Sequence, residues 1–250
     1  MGAHSAFGKW LGRFSLLCLV TLAISFWFRH DFPAPGARLL PPDLLEEPQQ
    51  EAAYQPPFTV QRAGYTYTVT PRYNYRLVGM VVSYSGHDAS YGLHRNWGDH
   101  LNIADLCVVW GDNAANVDLN KIKFWNGEFT CNFETRDQAT WQSFHLDQAS
   151  NNHILVDDKR LRDRITDVRI GDIIRVDGWL AEYANNQGFH RGTSTRRDDT
   201  GNGACETVFV RDYQVLGHSH TAWYTIFRAA LWLFVTSALV WIGGVASGRF

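Results

Sequence analysis

The chain lacks an excess of positive charge. Its 250 residues include 23 Lys and Arg against 25 Asp and Glu, a formal net charge of −2. Proteins that bind nucleic acid through its phosphates need clustered positive charge. We therefore expect no nucleic-acid partner.

Several motifs with a defined mechanism are also absent. The sequence has no GxxxxGK[ST] phosphate-binding loop, no HExxH zinc motif and, among its 4 Cys, no CxxC. Cys107, Cys131 and Cys205 lie between the two apolar ends of the chain, where one disulfide and one free thiol would fit an oxidising compartment. Their spacing selects no pair, and the cofactor stays unknown.

Charge is missing from two long apolar runs, Phe14–Phe28 and Ala229–Ala246. The second is long enough to span a bilayer, and Trp10 and Leu11 could extend the first. A cleaved signal peptide is the alternative for the first run, but bulky Phe26-Trp27-Phe28 stands where small residues would mark a cleavage site. We predict an N-terminal transmembrane anchor over residues 1–30, a C-terminal transmembrane helix over 222–248, and the lipid bilayer as a partner.

Basic residues in the short tails predict the orientation. Lys9 and Arg13 precede the first run and Arg249 follows the second, so the positive-inside rule places both termini in the cytoplasm. We therefore expect a bacterial inner-membrane protein whose main domain is periplasmic.

Proline and strand patterns divide the remainder. Most of the 8 prolines fall within 31–57, which predicts a Pro-rich linker over 31–62. Alternating and apolar runs over 63–218 then predict an extracytoplasmic β-rich domain. Asn126-Gly127 predicts a two-residue type I′ hairpin turn, and Gly178 a bulge or sharp coil. Helices are expected within Thr135–Ser150 and Asp157–Val168.

These patterns together predict a mainly β fold. We expect a small antiparallel OB-like barrel with one or two short helices, flanked by two transmembrane helices. The segment GDIIRVDGWLAEY, starting at Gly171, resembles the curved-strand pattern of OB-fold barrels. Together with Tyr75–Tyr84 and other segments, GTSTRRDDTGNGACETVFV from Gly192 resembles a family of uncharacterised bacterial membrane-anchored envelope proteins sharing GTSTxRxDTGNGACETVFV. That resemblance implies a shared fold and no particular activity.

The segment Phe189–Val210 is longer than a hairpin requires, and long ordered loops are often functional. Its glycines let backbone N–H groups converge on an anion, and Arg197 could hold a carboxylate. An Ω-like loop whose side chains bond one another is the alternative. The predicted binding residues are Gly192, Thr193, Ser194, Thr195, Arg197, Asp199, Gly201, Gly203 and Glu206.

Two further chemistries are weighed against simpler explanations. Cys205 with His190 as its base would form a nucleophilic pair, although a disulfide or a buried thiol is the preferred explanation of this cysteine in an oxidising compartment. The loop Gly86–His100 could hold a metal through imidazole and carboxylate ligands, or simply expose polar side chains. The candidate ligands are His87, Asp88, His94, Asp99 and His100.

The functional hypothesis is a membrane-tethered periplasmic binding or scaffolding module of unknown ligand, with a possible envelope protein partner. The alternative is a Cys/His-dependent hydrolase or transferase acting on cell-envelope material. Tryptophans such as Trp97, Trp141 and Trp179 could offer a stacking platform for sugars or nucleobases, but most are expected in the core and nothing in the sequence favours that use.

Overall fold

A computed structural model of the chain describes residues 2–87, 92–196, 199 and 205–249. These residues form two compact units, one of Met1–Pro33 with His220–Phe250 and one of Ala34–Ser219. Two helices, Ala6–Phe28 and Ala222–Ala246, are long and apolar enough to cross a membrane.

The first unit is a pair of helices, α1 (Gly2–Phe28) and α6 (Ala222–Ala246). Ser15 Oγ donates to Ser237 Oγ at 2.9 Å. The rings of Phe28 and Trp223 meet with their centroids 5.4 Å apart at one end of the pair. The helices therefore run antiparallel, with the end of α1 beside the start of α6.

The second unit, which we call the central domain, is mainly sheet. Its strands are β1 (Gln49–Ala52), β2 (Phe58–Arg62), β3 (Tyr65–Gly86), β4 (Asn102–Val109), β5 (Ile122–Asn126), β6 (Cys131–Thr135), β7 (Ala149–Leu155), β8 (Asp172–Asn185), β9 (His190–Arg191) and β10 (Glu206–His218). Its α-helices are α2 (Gly92–Asn96), α3 (Gly111–Ala115), α4 (Gln138–Ser143) and α5 (Lys159–Thr166), and 3₁₀ turns cover Pro42–Leu45, Leu119–Lys121 and Leu146–Gln148.

Five strands pair in a closed ring in the order β3, β4, β7, β10, β8 and back to β3. β3 can join this ring on both sides because it is 22 residues long: Tyr67–Met80 pair with β8, and Met80–Gly86 pair with β4. Inside the ring, Tyr67, Leu155 and Tyr183 are almost fully buried and belong to one hydrophobic cluster. The β-rich prediction is confirmed.

One strand pair differs from the predicted antiparallel arrangement. β10 runs parallel to β7, with Thr207 opposite His153. A parallel neighbour needs a crossover connection, and here α5 and β8 lie between the two strands in the chain. The ring is therefore mixed.

The stretch predicted as a Pro-rich linker is bound to the central domain over much of its length. β1 and β2 both pair with β3. Leu44 is fully buried, and the buried Arg38 side chain donates to the carbonyl oxygens of Ala114 and Val117. Proline spacing did not reveal these short strands because edge strands tolerate nearby prolines.

Local predictions meet mixed outcomes. α5 confirms the helix within Asp157–Val168, and its N-cap Asp158 accepts a hydrogen bond from Leu161 N. The hairpin at Asn126-Gly127 exists, but four residues separate its strands and Phe129 has a φ of 63°. The two-residue turn is therefore wrong.

Two further local predictions concern β8 and α4. The bulge predicted at Gly178 does not lie in its own strand: the neighbouring register shift, between Val210 and Asp212, is in the partner strand β10. Only Gln138–Ser143 is α-helical within the helix expected over Thr135–Ser150.

Candidate functional site

The two loops singled out in the sequence connect strands of the ring. We call residues 87–101, between β3 and β4, the first loop, and residues 186–205, between β8 and β10, the second loop. The described parts of both loops meet against the outer face of β4, β7 and β10.

A row of polar side chains lies on that outer face. Asp105 pairs with His153 across β4 and β7, and His153 pairs with Thr207 across β7 and β10. Directly opposed residues share a face of the sheet. The neighbouring residues Leu106 and Ile154 point the other way, into the core, and are almost fully buried.

Asp105 is the centre of a buried network. It accepts hydrogen bonds from His153 Nδ1 at 2.6 Å and Asn102 Nδ2 at 3.2 Å, and His87 Nε2 lies 3.0 Å from the same oxygen without the alignment of a hydrogen bond. Burial alone would raise the pKa of Asp105, but His153 and His87 outweigh it and hold the pKa well below its usual range. Asp105 is therefore an anion.

His153 links this anion to Arg191. With a proton on Nδ1 shared with Asp105, the His153 Nε2 atom is left as an acceptor, and Arg191 Nη1 lies 3.2 Å from it. The guanidinium also lies 4.2 Å above the ring of Phe129 and 3.8 Å from Asp99. Arg191, itself part of the second loop, is thus a cation held in one orientation.

Asp99 and His94 form a second carboxylate–imidazole pair. His94 Nδ1 lies 3.2 Å from Asp99 Oδ2, while the Tyr183 hydroxyl donates to Asp99 Oδ1 at 2.7 Å. The His94 ring stacks on that of His87 with centroids 3.9 Å apart. Burial, reinforced by Asp99, raises the pKa of Tyr183 well above its usual value, so its hydroxyl stays a donor.

The predicted metal ligands are only partly brought together. His87, His94 and Asp99 belong to the buried network, whereas His100 packs against the ring of Tyr65 with centroids 5.0 Å apart. Asp88 lies outside the described residues. Among the described candidates no three ligand atoms lie within 4.8 Å of one another, and metal binding stays a prediction.

Cys205 is free, and Cys107 is bonded to Cys131 with their Cα atoms 5.5 Å apart. The Cys205 thiol donates to Phe129 O at 3.4 Å, and Asn151 Nδ2 donates to its sulfur at 3.5 Å. Burial raises the pKa of Cys205, which disfavours the thiolate.

The proposed base of the nucleophilic pair faces elsewhere. His190 is 62% exposed and lies 3.9 Å from Glu182. Hydrogen bonds and ion pairs in the described parts of the chain do not join His190 to Cys205. The nucleophilic pair stays a prediction.

Most of the described binding residues predicted in the second loop are engaged in hydrogen bonds within the protein. Thr207 N donates to Thr193 Oγ1 at 2.9 Å, and Thr207 Oγ1 donates to Gly192 O at 2.8 Å. Ser194 Oγ donates to Asp199 at 2.6 Å. Thr195 O accepts from Gln50, and Glu206 is buried. Arg197, Gly201 and Gly203 lie outside the described residues.

Sequence reasoning missed a cleft between the two loops. It has a volume of about 500 Å³. Its described walls are Tyr65, Asn96, Trp97, Gly98, Gln187, Gly188, Phe189 and His190. The signal available in the sequence was Trp97, one of several tryptophans considered for stacking, whose 43% exposure now sets it apart from core tryptophans such as Trp110.

Asn185, at the end of β8, forms hydrogen bonds to both walls of this cleft. Its Nδ2 atom donates to Trp97 O at 3.2 Å and Gly98 O at 3.1 Å. Its Oδ1 atom accepts from Gln187 N at 2.9 Å and Phe189 N at 3.0 Å. Because the side chain is buried, these hydrogen bonds compete little with water, and the cleft is held in shape.

Comparisons with known protein families, curated proteins and solved structures gave no match.

Proposed function

We propose that this chain is a membrane-tethered binding module whose ligand occupies the cleft between the first and second loops. The observation that carries the proposal is the cleft itself. Exposed Trp97 and the half-buried rings of Tyr65 and Phe189 line a concavity, and Asn185 forms hydrogen bonds to both of its walls. Ligand sites are usually preformed concavities with apolar walls and a few fixed polar groups.

The buried network supports a functional use of this region. Burying carboxylates is costly unless they are paired. Here buried Asp99 adjoins the cleft residue Gly98 in the chain, and buried Asp105 is linked through His153 to Arg191. Arg191 in turn follows the cleft residue His190. Such a network rigidifies the loops from within, which favours recognition of a ligand of defined shape.

We further propose an OB-like barrel for the central domain. In chain order the ring strands pair 1-2-3-5-4-1, with a helix between the third and fourth and a parallel pair between the third and fifth. A five-stranded Greek-key barrel that uses the loops after its first and fourth strands for binding fits this order. The cleft lies between those two loops.

The proposed location is the periplasmic side of a bacterial inner membrane, with both tails cytoplasmic. Two apolar helices and the basic tail residues support it. A domain tethered beside the bilayer is close to components of the cell envelope. This favours a ligand from the envelope, which could be an envelope protein partner.

Hydrogen–deuterium exchange tests the binding proposal. Full-length protein in detergent is mixed separately with envelope lipids, soluble glycan fragments and extracted membrane proteins. We expect one fraction to slow amide exchange at residues 96–98 and 187–190, and Trp97→Ala to abolish the effect. If all three fractions leave exchange at these amides unchanged, the binding function is wrong.

Hydrolysis or group transfer on envelope material is a second candidate. It is favoured by the Asp99–His94 pair, since a carboxylate that orients an imidazole is typical of a general base. The free thiol of Cys205 would be the nucleophile, although burial raises its pKa. It predicts products released from digested envelope material that disappear in Cys205→Ala or His94→Gln. Product release that survives both substitutions would remove this candidate.

A further inference from the structure

We infer that the cleft binds an uncharged saccharide, stacked against Trp97 and Phe189. This inference rests on the proposed binding function and names the chemical class of its ligand.

The aromatic wall supplies flat apolar surface. Trp97 stacks on Phe129 with centroids 5.3 Å apart and an interplanar angle of 18°, and on Phe189 at 6.2 Å and 25°. Packing of this kind fixes the rings before a ligand arrives. Rigid rings that remain partly exposed offer contact area at low entropic cost, and the C–H faces of a sugar ring match such a surface.

The charge of the wall selects against ionic ligands. None of the described residues lining the cleft is Lys, Arg, Asp or Glu. Arg191, the nearest guanidinium of the buried network, is engaged by His153 and stacked on Phe129. Apart from the imidazole of His190, a phosphate or carboxylate would therefore meet no cationic side chain among these residues, whereas a neutral ligand loses no ionic solvation there.

The polar groups of the wall suit hydroxyl groups. The side-chain amides of Asn96 and Gln187 each provide both donors and an acceptor. A sugar hydroxyl likewise donates and accepts. The wall thus combines apolar rings with amide groups. This combination matches the C–H and O–H groups on the surface of a saccharide better than the uniformly apolar surface of an acyl chain.

Asn185 is the positioning residue for this site. It holds the backbone of Trp97 and Gly98 on one wall and that of Gln187 and Phe189 on the other. Because each wall is fixed by hydrogen bonds to the same side chain, their separation is set by the barrel rather than by the ligand. Binding then costs little ordering of the loops.

The test uses full-length protein in detergent with three trisaccharide probes. Chitotriose and maltotriose are neutral, and trigalacturonic acid is anionic. Association is followed by intrinsic fluorescence and by saturation-transfer NMR. We expect at least one neutral probe to bind more tightly than the anionic one, and Trp97→Ala to raise its Kd about tenfold or more.

Matched variants separate stacking from loss of fold. Trp141→Ala removes another exposed indole, 51% accessible and outside the cleft, and should leave Kd unchanged. Trp97→Phe should restore part of the affinity. Asn185→Asp keeps the acceptor oxygen but loses the donors to Trp97 O and Gly98 O, so we expect weaker binding together with faster amide exchange at residues 96–98.

Three outcomes would overturn the saccharide assignment: no binding of either neutral probe, stronger binding of the anionic probe, or equal affinity in Trp97→Ala. They leave the broader binding function separately testable. If the lipid or protein fraction protects residues 96–98 and 187–190 while no saccharide does, the cleft is a binding site of another class. If no fraction protects them, both proposals fail together.

Discussion

Asp105 keeps a negative charge inside the central domain because its neighbours are arranged to hold it. The carboxylate is inaccessible to solvent and faces His153, His87 and Asn102. Such an arrangement stabilises the fold only while the charge is present. The residue therefore links stability to pH.

We predict that Asp105→Asn lowers the free energy of unfolding at pH 7 by about 3 kcal/mol, the usual effect of removing one partner of a buried charge pair. The folded-state pKa of Asp105 lies below its unfolded value. Its contribution is therefore complete above about pH 4 and is lost as pH falls through the folded pKa. Denaturant unfolding of the central domain between pH 2 and 7 measures both effects.

Asp163→Asn is the matched control. Asp163 pairs with Lys159 at 2.6 Å, but its side chain is 60% exposed. An exposed pair contributes about 0–1 kcal/mol. The free energy of unfolding of this variant should therefore fall with decreasing pH in the same way as that of the wild-type protein. An Asp105→Asn protein as stable as wild type at pH 7 would contradict the assignment of Asp105 as a stabilising anion.

At the level of single residues, the sequence identified those site residues that have other polar residues beside them in the chain. His87, His94 and Asp99 were singled out because they crowd one loop. Asp105 and His153 were not predicted as site residues because each lies in a strand that is otherwise apolar or amide-rich, and their pairing depends on register between β4 and β7. Asn185 stands beside Asn186 and looks like an ordinary turn residue until its four hydrogen bonds are seen.

Among the elements, β5 and β6 form a two-stranded sheet separate from the ring. The Cys107–Cys131 disulfide ties this hairpin to β4. Phe129 lies between β5 and β6. Its ring contacts the guanidinium of Arg191, and its carbonyl oxygen accepts a hydrogen bond from the Cys205 thiol. The disulfide therefore holds one wall of the buried network in place.

We predict that Cys107→Ala with Cys131→Ala lowers the free energy of unfolding by about 3 kcal/mol, as expected for a loop of this length in the chain-entropy account. The two cysteines are 24 residues apart in sequence. Amide exchange in β5 and β6 should accelerate more than exchange in β8. Chemical unfolding of the oxidised and doubly substituted proteins gives the difference.

Thiol counting checks the pairing independently. The chain has 4 Cys, and Cys18 and Cys205 are free. Unfolded protein should therefore take two labels before reduction and four after it. Cys205→Ala should leave β5–β6 exchange unchanged, and labelling of Cys107 or Cys131 without reductant would refute the disulfide.

Strand existence was easier to predict than strand partnership. Alternation and apolar runs identified most of the ring strands, because burial of one or both faces leaves a mark in the sequence. The parallel pairing of β7 with β10 leaves no such mark in the sequence, since it depends on the path that the chain follows through α5 and β8 between these two strands. The edge strands β1 and β2 were hidden within the proline-rich stretch for a different reason, because edge strands tolerate nearby prolines.

At the scale of the whole molecule, the chain leaves α1 and enters α6 at the same end of the helix pair. Phe28 and Trp223 are in contact there, while Gly12 lies close to Trp241 at the other end. If both helices cross a bilayer, the two tails share one side and the connecting residues the other.

Cysteine accessibility in intact cells tests that arrangement. In a Cys205→Ser background, Tyr54→Cys should react with a membrane-impermeant maleimide added from outside, since Tyr54 is 94% exposed. Arg249→Cys should react only after lysis, as expected for a cytoplasmic tail. Reaction of Arg249→Cys in intact cells, or protection of Tyr54→Cys, would reverse the proposed orientation.

The position of β10 in the ring also determines when the ring can close during synthesis of the chain. β7 and β8 are both made before β10, and each keeps an unpaired edge until residues 206–218 arrive. Only three residues separate the end of β10 from α6. Closure of the strand ring and release of the second apolar helix from the ribosome are thus nearly simultaneous, and a chain stopped before Glu206 presents two open strand edges ready to aggregate.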